Sequence, residues 1–257
     1  MAPAIDDVVA TLRRDPARTA VLLDFDGTLA PIVEDPATSR PLPAAAPLLD
    51  ALADRYGLVA VVSGRPASFL QAHLGTGPTL VGLYGLEEVR DGAVVQDPAV
   101  GHWRAAVDDA AAAAVAELPK AVGVEHKGLT LTLHVRTCPE LGPAVADWTE
   151  QAASRWGLQP GRARMSYELH PPVATDKGTV VEGLLAAADV DSACFIGDDV
   201  GDLPAFAALD RFTAAGGDGR RIVVRSRESA PELLAAADAV VADPAAVVDL
   251  LRALVAP

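Results

Sequence analysis

Short runs of apolar residues recur along this chain, and most of them stop abruptly at small or polar residues. Such runs occupy Thr19–Asp24, Leu58–Val62, Leu80–Leu83 and Ala193–Gly197. Apolar runs of this length are typical of strands in a parallel sheet that is buried on both faces. Apolar residues at helical spacing lie between the runs, as at Ala44–Tyr56. The pattern therefore predicts an α/β fold built on a parallel sheet.

The pattern changes between residues 98 and 172, where helical segments alternate with strands that carry polar residues. This stretch is predicted to contain a helix, two strands, a helix and a strand, at His102–Leu118, Val122–Glu125, Leu129–Arg136, Leu141–Trp156 and Arg164–Leu169. Elements in this order form a compact α+β unit. We therefore expect a core made of residues 1–97 and 173–257, with residues 98–172 inserted into it as a cap domain.

Polar side chains suited to chemistry follow several of the predicted strands, at the edge where open α/β sheets bind ligands. The first strand runs into Asp24-Phe25-Asp26-Gly27-Thr28. Asp24 and Asp26 point the same way because alternate strand residues share a face, and their oxygens suit a divalent cation. The second strand ends in Ser63-Gly64-Arg65 before a helix, an arrangement suited to a phosphate group. The fourth strand ends in Asp198-Asp199-Val200-Gly201-Asp202, an oxygen-rich corner suited to Mg²⁺.

Composition narrows the classes of partner. The chain is 51% hydrophobic, carries a formal net charge of −14 and has two cysteines, Cys138 and Cys194. Such an acidic chain lacks the basic face that nucleic-acid binding needs, and an anionic substrate requires lysine, arginine or metal at its site. Neither a secretory signal nor an apolar run long enough to span a bilayer is visible. Two cysteines form no disulfide framework, so we expect a cytoplasmic protein with neither nucleic-acid nor membrane partners.

In sequence order, the Asp24 and Asp26 pair, Ser63, Lys177 and the acidic cluster at Asp198 resemble the motifs of the haloacid-dehalogenase superfamily of phosphohydrolases. The resemblance covers both core segments. It implies a Rossmann-like parallel sheet with the cap inserted after the second motif, and Mg²⁺ as the cofactor. Asp24 is then the nucleophile and Asp26 the general acid and base, while Ser63 and Lys177 hold the phosphate.

The same resemblance implies a set of ligands. The metal ligands are expected to be Asp24, the main-chain carbonyl of Asp26, Asp198 and Asp199. Either Asp199 or Asp202 could bind metal-held water or orient Lys177, and the sequence leaves those two roles open. Substrate contacts are expected from Gly27, Thr28, Gly64, Arg65, Glu125, Lys127 and Glu168, with Asp202, Glu87, His134 and Arg136 as further candidates beside the site.

A narrower resemblance, to trehalose-phosphate phosphatases, extends into the cap. Its motifs are Gly82-Leu83-Tyr84-Gly85-Leu86-Glu87, Val124-Glu125-His126-Lys127, Leu133-His134-Val135-Arg136, Glu168-Leu169-His170-Pro171, Lys177-Gly178, and Gly197-Asp198-Asp199 followed by Asp202. The chain departs from that family in two places, because the family usually has His at the position of Tyr84 and Thr-Asp-Glu-Asp at the position of Gly201-Asp202-Leu203-Pro204. The resemblance implies hydrolysis of trehalose 6-phosphate, with Glu125, Lys127 and Glu168 contacting the sugar.

Other functions are weighed against this one. The same core chemistry serves phosphatases of sucrose phosphate, mannosyl-3-phosphoglycerate or simple phosphosugars, and the cap residues decide between them. Related phosphomutases usually carry a helical cap between the first two motifs, where this chain has only Leu29–Val62. A catalytically dead phosphosugar-binding protein is expected to have lost Asp24 or Asp26, and both are present. We expect a small sugar phosphate as the partner and a monomer, with an oligomer left open.

Overall fold

The computed structural model describes residues 5–163, 165–226 and 229–256. The chain divides into two compact units, of which one comprises residues 1–95 and 175–257 and the other residues 96–174. We call them the core unit and the inserted unit. The sequence predicted divisions at 97/98 and 172/173.

The core unit is built on an eight-stranded sheet in the order β12-β11-β10-β1-β2-β3-β4-β5. Neighbouring strands from β12 to β3 are parallel, and β4 pairs with β3 in the antiparallel sense. The elements of this unit are α1 (Ile5–Leu12), β1 (Thr19–Leu23), α2 (Ala45–Ala53), β2 (Leu58–Val62), α3 (Ala67–Leu74), β3 (Thr79–Gly82), β4 (Glu87–Arg90), β5 (Ala93–Gln96), α6 (Lys177–Ala187), β10 (Ser192–Gly197), α7 (Leu203–Ala214), β11 (Asp218–Val224), α8 (Pro231–Ala236), β12 (Ala239–Val241) and α9 (Pro244–Val255).

Helices cover both faces of this sheet. Val21 and Leu23 of β1 lie in an apolar cluster with residues of α1, α2, α3 and α9. Leu22, which points to the opposite face, lies in a second cluster with residues of α6, α7 and α8. All five residues of β1 are buried, as the uninterrupted apolar run predicts. The α/β class with a parallel sheet is thereby confirmed.

The inserted unit contains an antiparallel sheet in the order β6-β7-β9-β8, with two helices on one face. Its elements are α4 (Arg104–Glu117), β6 (Gly123–His126), β7 (Leu131–His134), α5 (Gly142–Trp156), β8 (Gln159–Ala163) and β9 (Ser166–His170). The apolar face carries Leu131, Leu133 and Leu169, which pack with residues of α4 and α5. Trp103, Trp148 and Trp156 pack against this same cluster.

Several element boundaries differ from the sequence predictions. Strand β8 was not predicted, because its Gln-Pro-Gly-Arg-Ala sequence contains two residues that weaken strand patterns and are tolerated at a sheet edge. The helix predicted over Ala44–Tyr56 ends at Ala53, after which the Gly57 N–H donates to the carbonyl of Pro16. The strand predicted from Arg164 starts at Ser166, and Arg164 itself lies outside the described residues.

Asp91 and Gly92 form the turn of a β-hairpin at one edge of the core sheet. Strands β4 and β5 are neighbours in the sheet, and the two turn residues have φ values of 50° and 75°. Two consecutive left-handed residues are the mark of a tight hairpin turn, for which Asp-Gly is a favoured pair. Among the described residues, no helix combines the length and the apolar character that crossing a membrane requires.

Candidate active site

Three neighbouring parallel strands, β10, β1 and β2, end at the same edge of the core sheet. Asp24 directly follows β1, Ser63 follows β2 and Asp198 follows β10. The Asp24 N–H donates to the carbonyl of Ile196 at 2.9 Å, so the pairing of β1 with β10 carries on into the site. All three side chains are buried. The parallel register therefore brings together residues that lie up to 174 positions apart in the chain.

Lys177 joins this group from the first turn of α6. Asp176 caps that helix by accepting the Thr179 N–H at 2.8 Å, which fixes where the helix begins. The Lys177 Nζ lies 2.8 Å from Asp24 Oδ1 and 2.6 Å from Asp202 Oδ1. Burial by itself lowers the pKa of Lys177, but the carboxylates of Asp202 and Asp24 outweigh burial and raise that pKa above its ordinary value. The lysine is therefore a buried, paired cation at the strand ends.

Three carboxylates lie close together here, and two of them contact this lysine. Asp24, Asp198 and Asp202 are buried, and each offers one oxygen that lies within 4.8 Å of the other two. Burial raises the pKa of the Asp24 carboxyl well above its ordinary value; Lys177 opposes that shift, and Asp202 and Asp198 add to it. Three buried carboxylates against one ammonium leave an excess of negative charge. An all-oxygen donor set with excess negative charge fits a hard divalent cation such as Mg²⁺.

The geometry of the turn after β10 brings Asp202, rather than Asp199, into this group. Asp202 Oδ2 accepts the N–H groups of Asp198 at 2.9 Å and of Asp199 at 3.0 Å, which folds the turn back over the strand end. The Asp199 carboxylate instead accepts the N–H of Val200 and caps the short helical turn that follows. Because Asp202 also contacts Lys177, a residue expected beside the site lies at its centre.

Asp26 is held by a hydrogen-bond network of its own. Its Oδ2 accepts Arg65 Nε at 2.6 Å, while its Oδ1 accepts Arg65 Nη2 and Ser39 Oγ, each at 2.8 Å. Arg65 was expected to contact substrate, and Ser39 was not singled out from the sequence. In the structure, the Arg65 guanidinium binds the neighbouring carboxylate, a pairing that its planar fork favours. No local sequence signal identifies Ser39, which lies in the Pro-rich stretch after β1.

The loops around Ser63 and Asp26 place the remaining core candidates. The Ser63 hydroxyl accepts the Arg65 N–H at 3.2 Å. Thr28 is fully buried, and its Oγ1 has no hydrogen-bond partner in the part of the chain that the structure describes. Glu87 accepts the Ala67 N–H at 3.0 Å, and this contact ties the carboxylate to the N-terminus of α3.

Two glycines sit where a side chain has no room. A Cβ on Gly27, whose φ is 79°, would lie 2.0 Å from Asp198 Oδ2. A Cβ on Gly64 would lie 2.5 Å from the hydroxyl oxygen of Tyr84. The phenol of Tyr84 therefore lies directly against the loop that follows β2.

The candidate substrate-contacting residues of the inserted unit come from separate segments of the sequence and lie together on the polar face of its sheet. Strand register places Glu125 opposite Thr132 and Thr132 opposite Glu168. Lys127 Nζ lies 3.6 Å from Glu125 Oε2 and 3.9 Å from Glu168 Oε1. His134 Nε2 lies 2.8 Å from the same Glu125 oxygen. Arg136 is half-buried just beyond the end of β7.

A doubly covered parallel sheet with an Asp-x-Asp strand end, a buried lysine and a second acidic strand end defines a protein of the haloacid-dehalogenase-like class. The family model for trehalose-phosphatase matches residues 22–232. The chain belongs to the trehalose-phosphatase family.

Individual relatives agree with this assignment. The trehalose-phosphate phosphatase of Mycobacterium ulcerans (strain Agy99) is 32% identical over 230 residues, which cover 85% of this chain and 57% of that protein. The protein of the same name from Mycobacterium leprae (strain TN) is 34% identical over 245 residues, which cover 90% of this chain and 55% of that protein. The chain thus spans a little over half the length of these curated relatives.

A solved structure supports the fold. The C-terminal domain of the C. albicans trehalose-6-phosphate phosphatase matches with a TM-score of 0.80 and 22% sequence identity, covering 99% of this chain and 98% of that one. At this identity the likeness concerns the fold.

Proposed function

We propose that this protein is a phosphatase that hydrolyses trehalose 6-phosphate to trehalose and inorganic phosphate. The observation that carries the proposal is the contact between Lys177 Nζ and Asp24 Oδ1 at 2.8 Å, within the buried group that Asp198 and Asp202 complete. A paired lysine beside a buried carboxylate suits attack on a phosphate monoester, because the positive charge offsets the repulsion between two anions. The names of the relatives support the choice of sugar.

The proposed reaction has two steps. In the first, an Asp24 carboxylate oxygen forms a bond to phosphorus while the bond from phosphorus to the sugar oxygen breaks. The electron pair of that bond goes to the sugar oxygen, which takes a proton from the Asp26 carboxyl. In the second step, water attacks the phosphorus of the aspartyl-phosphate, gives a proton back to Asp26 and displaces the Asp24 carboxylate. Both aspartates return to their starting states.

The other residues of the core unit hold the phosphoryl group. In this proposal, the Ser63 hydroxyl and the Gly64 N–H bind phosphate oxygens ahead of α3, and Lys177 supplies a point charge. Asp24, Asp198, the main-chain carbonyl of Asp26 and one of Asp199 and Asp202 would hold Mg²⁺. When bound, Mg²⁺ neutralises charge on the phosphoryl group.

We propose that the inserted unit recognises the sugar. Glu125, Lys127 and Glu168 form a polar cluster on one sheet face, and charged side chains of this kind bind sugar hydroxyls with strong hydrogen bonds. We also propose that the protein is located in the cytoplasm. Cys138 and Cys194 are both unpaired and buried, as is usual in a reducing compartment.

The test is phosphate release in the presence of Mg²⁺ from trehalose 6-phosphate, sucrose 6-phosphate and glucose 6-phosphate, with Asp24→Asn as the matched inactive variant. We expect kcat/KM to be highest for the trehalose ester. Equal kcat/KM values for all three esters would contradict trehalose 6-phosphate as the preferred substrate, but they would not contradict the phosphatase activity. If no phosphate is released from any of the three esters, the proposed phosphatase activity is contradicted.

A further inference from the structure

Asp26 is fixed by donors from two different loops. Arg65, which follows β2, donates from Nε to Oδ2 at 2.6 Å and from Nη2 to Oδ1 at 2.8 Å. Ser39, from the loop after β1, donates its hydroxyl proton to Oδ1 at 2.8 Å. Two parallel bonds from one guanidinium set the plane of the carboxylate as well as its distance. The third bond fixes which oxygen faces the loop after β1.

Arg65 is itself held in place. Its Nη1 donates to the carbonyl of Pro36 at 2.8 Å, and its guanidinium lies 4.8 Å from the ring centre of Phe69. Its side chain is only 9% exposed. An arginine that is buried, stacked and bonded on several sides has little freedom to change rotamer, so the carboxylate it binds is also restrained.

The two oxygens of Asp26 are not equivalent. An ionised carboxylate oxygen has about two acceptor positions, and Oδ1 uses both, for Arg65 and Ser39. Among the residues that the structure describes, Oδ2 accepts only from Arg65 Nε, and the side chain remains 31% exposed. Oδ2 therefore keeps one position at which a proton can be held and passed on.

We propose, on the basis of the function proposed above, that Arg65 and Ser39 are positioning residues for the general acid and base, and that Asp26 Oδ2 is the oxygen that transfers the proton. In the first step, the bond from phosphorus to the leaving oxygen breaks, and the proton on Oδ2 goes to that oxygen. In the second step, the attacking water returns a proton to Oδ2. Arg65 and Ser39 keep their own protons throughout.

This role has a consequence that a purely structural role does not have. A poor leaving group such as phenolate needs the proton from Asp26, whereas p-nitrophenolate leaves without it. General acid catalysis contributes about 10²–10⁴-fold where it is needed. If Asp26 Oδ2 is no longer held in place, turnover of phenyl phosphate should therefore fall far more than turnover of p-nitrophenyl phosphate.

The experiment measures kcat/KM of the full chain, with Mg²⁺, on phenyl phosphate and p-nitrophenyl phosphate. This constant reports the steps up to departure of the phenol, so the second hydrolytic step does not obscure it. Arg65→Met keeps an apolar stem against Phe69 and removes the guanidinium. We expect a loss of about 100-fold on phenyl phosphate and of less than about threefold on p-nitrophenyl phosphate. Arg65→Lys, which keeps the charge but not the paired bonds, should show the same dependence on leaving group.

Two further variants separate the proposal from damage to the fold. Arg252→Met is the control for loss of an arginine, because Arg252 is exposed and pairs with Asp249 on α9, and we expect it to leave the ratio of the two substrates unchanged. Ser39→Ala removes one donor to Oδ1 and should reduce kcat/KM on phenyl phosphate by roughly tenfold. If urea unfolding shows that Arg65→Met does not fold, the Ser39→Ala variant provides the test of the positioning role.

An equal loss of kcat/KM on both substrates in the Arg65 variants, or in Ser39→Ala, would overturn the positioning role. So would wild-type kcat/KM on phenyl phosphate in those variants. The proposed function is tested separately on trehalose 6-phosphate, and it fails if the wild-type protein releases no phosphate from that ester.

Discussion

Among the glycines of the core unit, Gly27 is the one at which a Cβ would make the shortest contact. Its φ of 79° lies in the left-handed region, and a Cβ there would come within 2.0 Å of Asp198 Oδ2. Both observations point the same way, since an alanine would strain the backbone and displace an acidic side chain at the strand ends. The glycine of the Asp-Gly pair is therefore required by the site as well as by the turn.

Replacing Gly27 by alanine should lower kcat/KM by about tenfold or more, through strain and displacement of Asp198. Steady-state phosphate release on trehalose 6-phosphate measures the effect. Gly183→Ala is the matched control, because nothing lies within 4 Å of a Cβ at Gly183. Equal activity in the two variants would contradict the crowding at Gly27.

Asp24→Asn tests the proposed nucleophile at the same scale. An amide is nearly isosteric with the carboxylate but cannot form the acyl-phosphate, so turnover should fall by roughly 10³-fold or more. Folding should persist, because burial and two neighbouring carboxylates already disfavour the charged form of Asp24. Near-ultraviolet circular dichroism and phosphate release are the measurements. Activity within about tenfold of wild type would refute the assignment.

At the scale of elements, the turn after β3 has a strained backbone. Leu83, Tyr84 and Gly85 have consecutive φ values of 48°, 58° and 105°. Left-handed conformations are costly for leucine and tyrosine and need support from their surroundings. The support is visible, since the Tyr84 N–H donates to the Ser63 carbonyl at 3.1 Å and Thr175 Oγ1 donates to the Tyr84 carbonyl at 2.6 Å. The turn thereby presses the phenol against Gly64.

A double-mutant cycle measures this contact. Gly64→Ala should cost about 1–3 kcal/mol of the free energy of unfolding, because the new methyl group overlaps the Tyr84 hydroxyl. In a Tyr84→Ala background, the same change should cost much less. Urea unfolding of the four proteins gives the coupling energy. A cost of Gly64→Ala that does not depend on residue 84 would show that the crowding arises elsewhere.

The sheet of the inserted unit is also an element with two distinct faces. Register alone aligns Glu125, Thr132 and Glu168 across three strands on the polar face, and Thr132 Oγ1 donates to Glu168 at 3.3 Å. Leucines from β7 and β9 cover the other face. Alternation along each strand therefore separates the core of the unit from its proposed sugar-binding surface.

Glu168→Gln should raise KM for trehalose 6-phosphate by about tenfold, the usual worth of a charged hydrogen bond. The KM for p-nitrophenyl phosphate, which lacks the sugar, should hardly change. Glu150→Gln on the exposed surface of α5 is the matched control. Equal changes in both KM values would remove Glu168 from the sugar site.

At the scale of the whole molecule, the dominant feature is negative charge. The chain carries −14 overall, and its described site groups three buried carboxylates, two of which contact one lysine. A negatively charged substrate meets an unfavourable field unless cations are concentrated locally. The lysine supplies one of them, and the remaining excess of carboxylate explains why the proposed function includes a divalent metal.

Metal removal should therefore abolish activity. Chelation followed by desalting should leave no phosphate release, and added Mg²⁺ should restore it. Mg²⁺ should also raise the thermal midpoint of the wild-type protein by mass action, but raise it less in Asp198→Asn. Full activity after chelation would contradict the metal requirement.

The sequence by itself determined the α/β class, most strands of the central sheet and the motifs that mark the trehalose-phosphatase family. It could do so because these features are local, since burial on both faces makes a strand uniformly apolar and a short motif is read from neighbouring residues. It missed β8, α7 and α8. The first of these lies at a sheet edge, where glycine and proline hide the alternation.

Only the tertiary structure decided which partners each polar residue meets. Asp202 joins Asp24 although 178 positions separate them, and Arg65 binds Asp26 across 39 positions. Glu125, Thr132 and Glu168 are aligned because the register of three paired strands places them opposite one another. Hydrogen bonds and ion pairs act over a few ångströms, so they depend on the approach of distant segments, which no local pattern records.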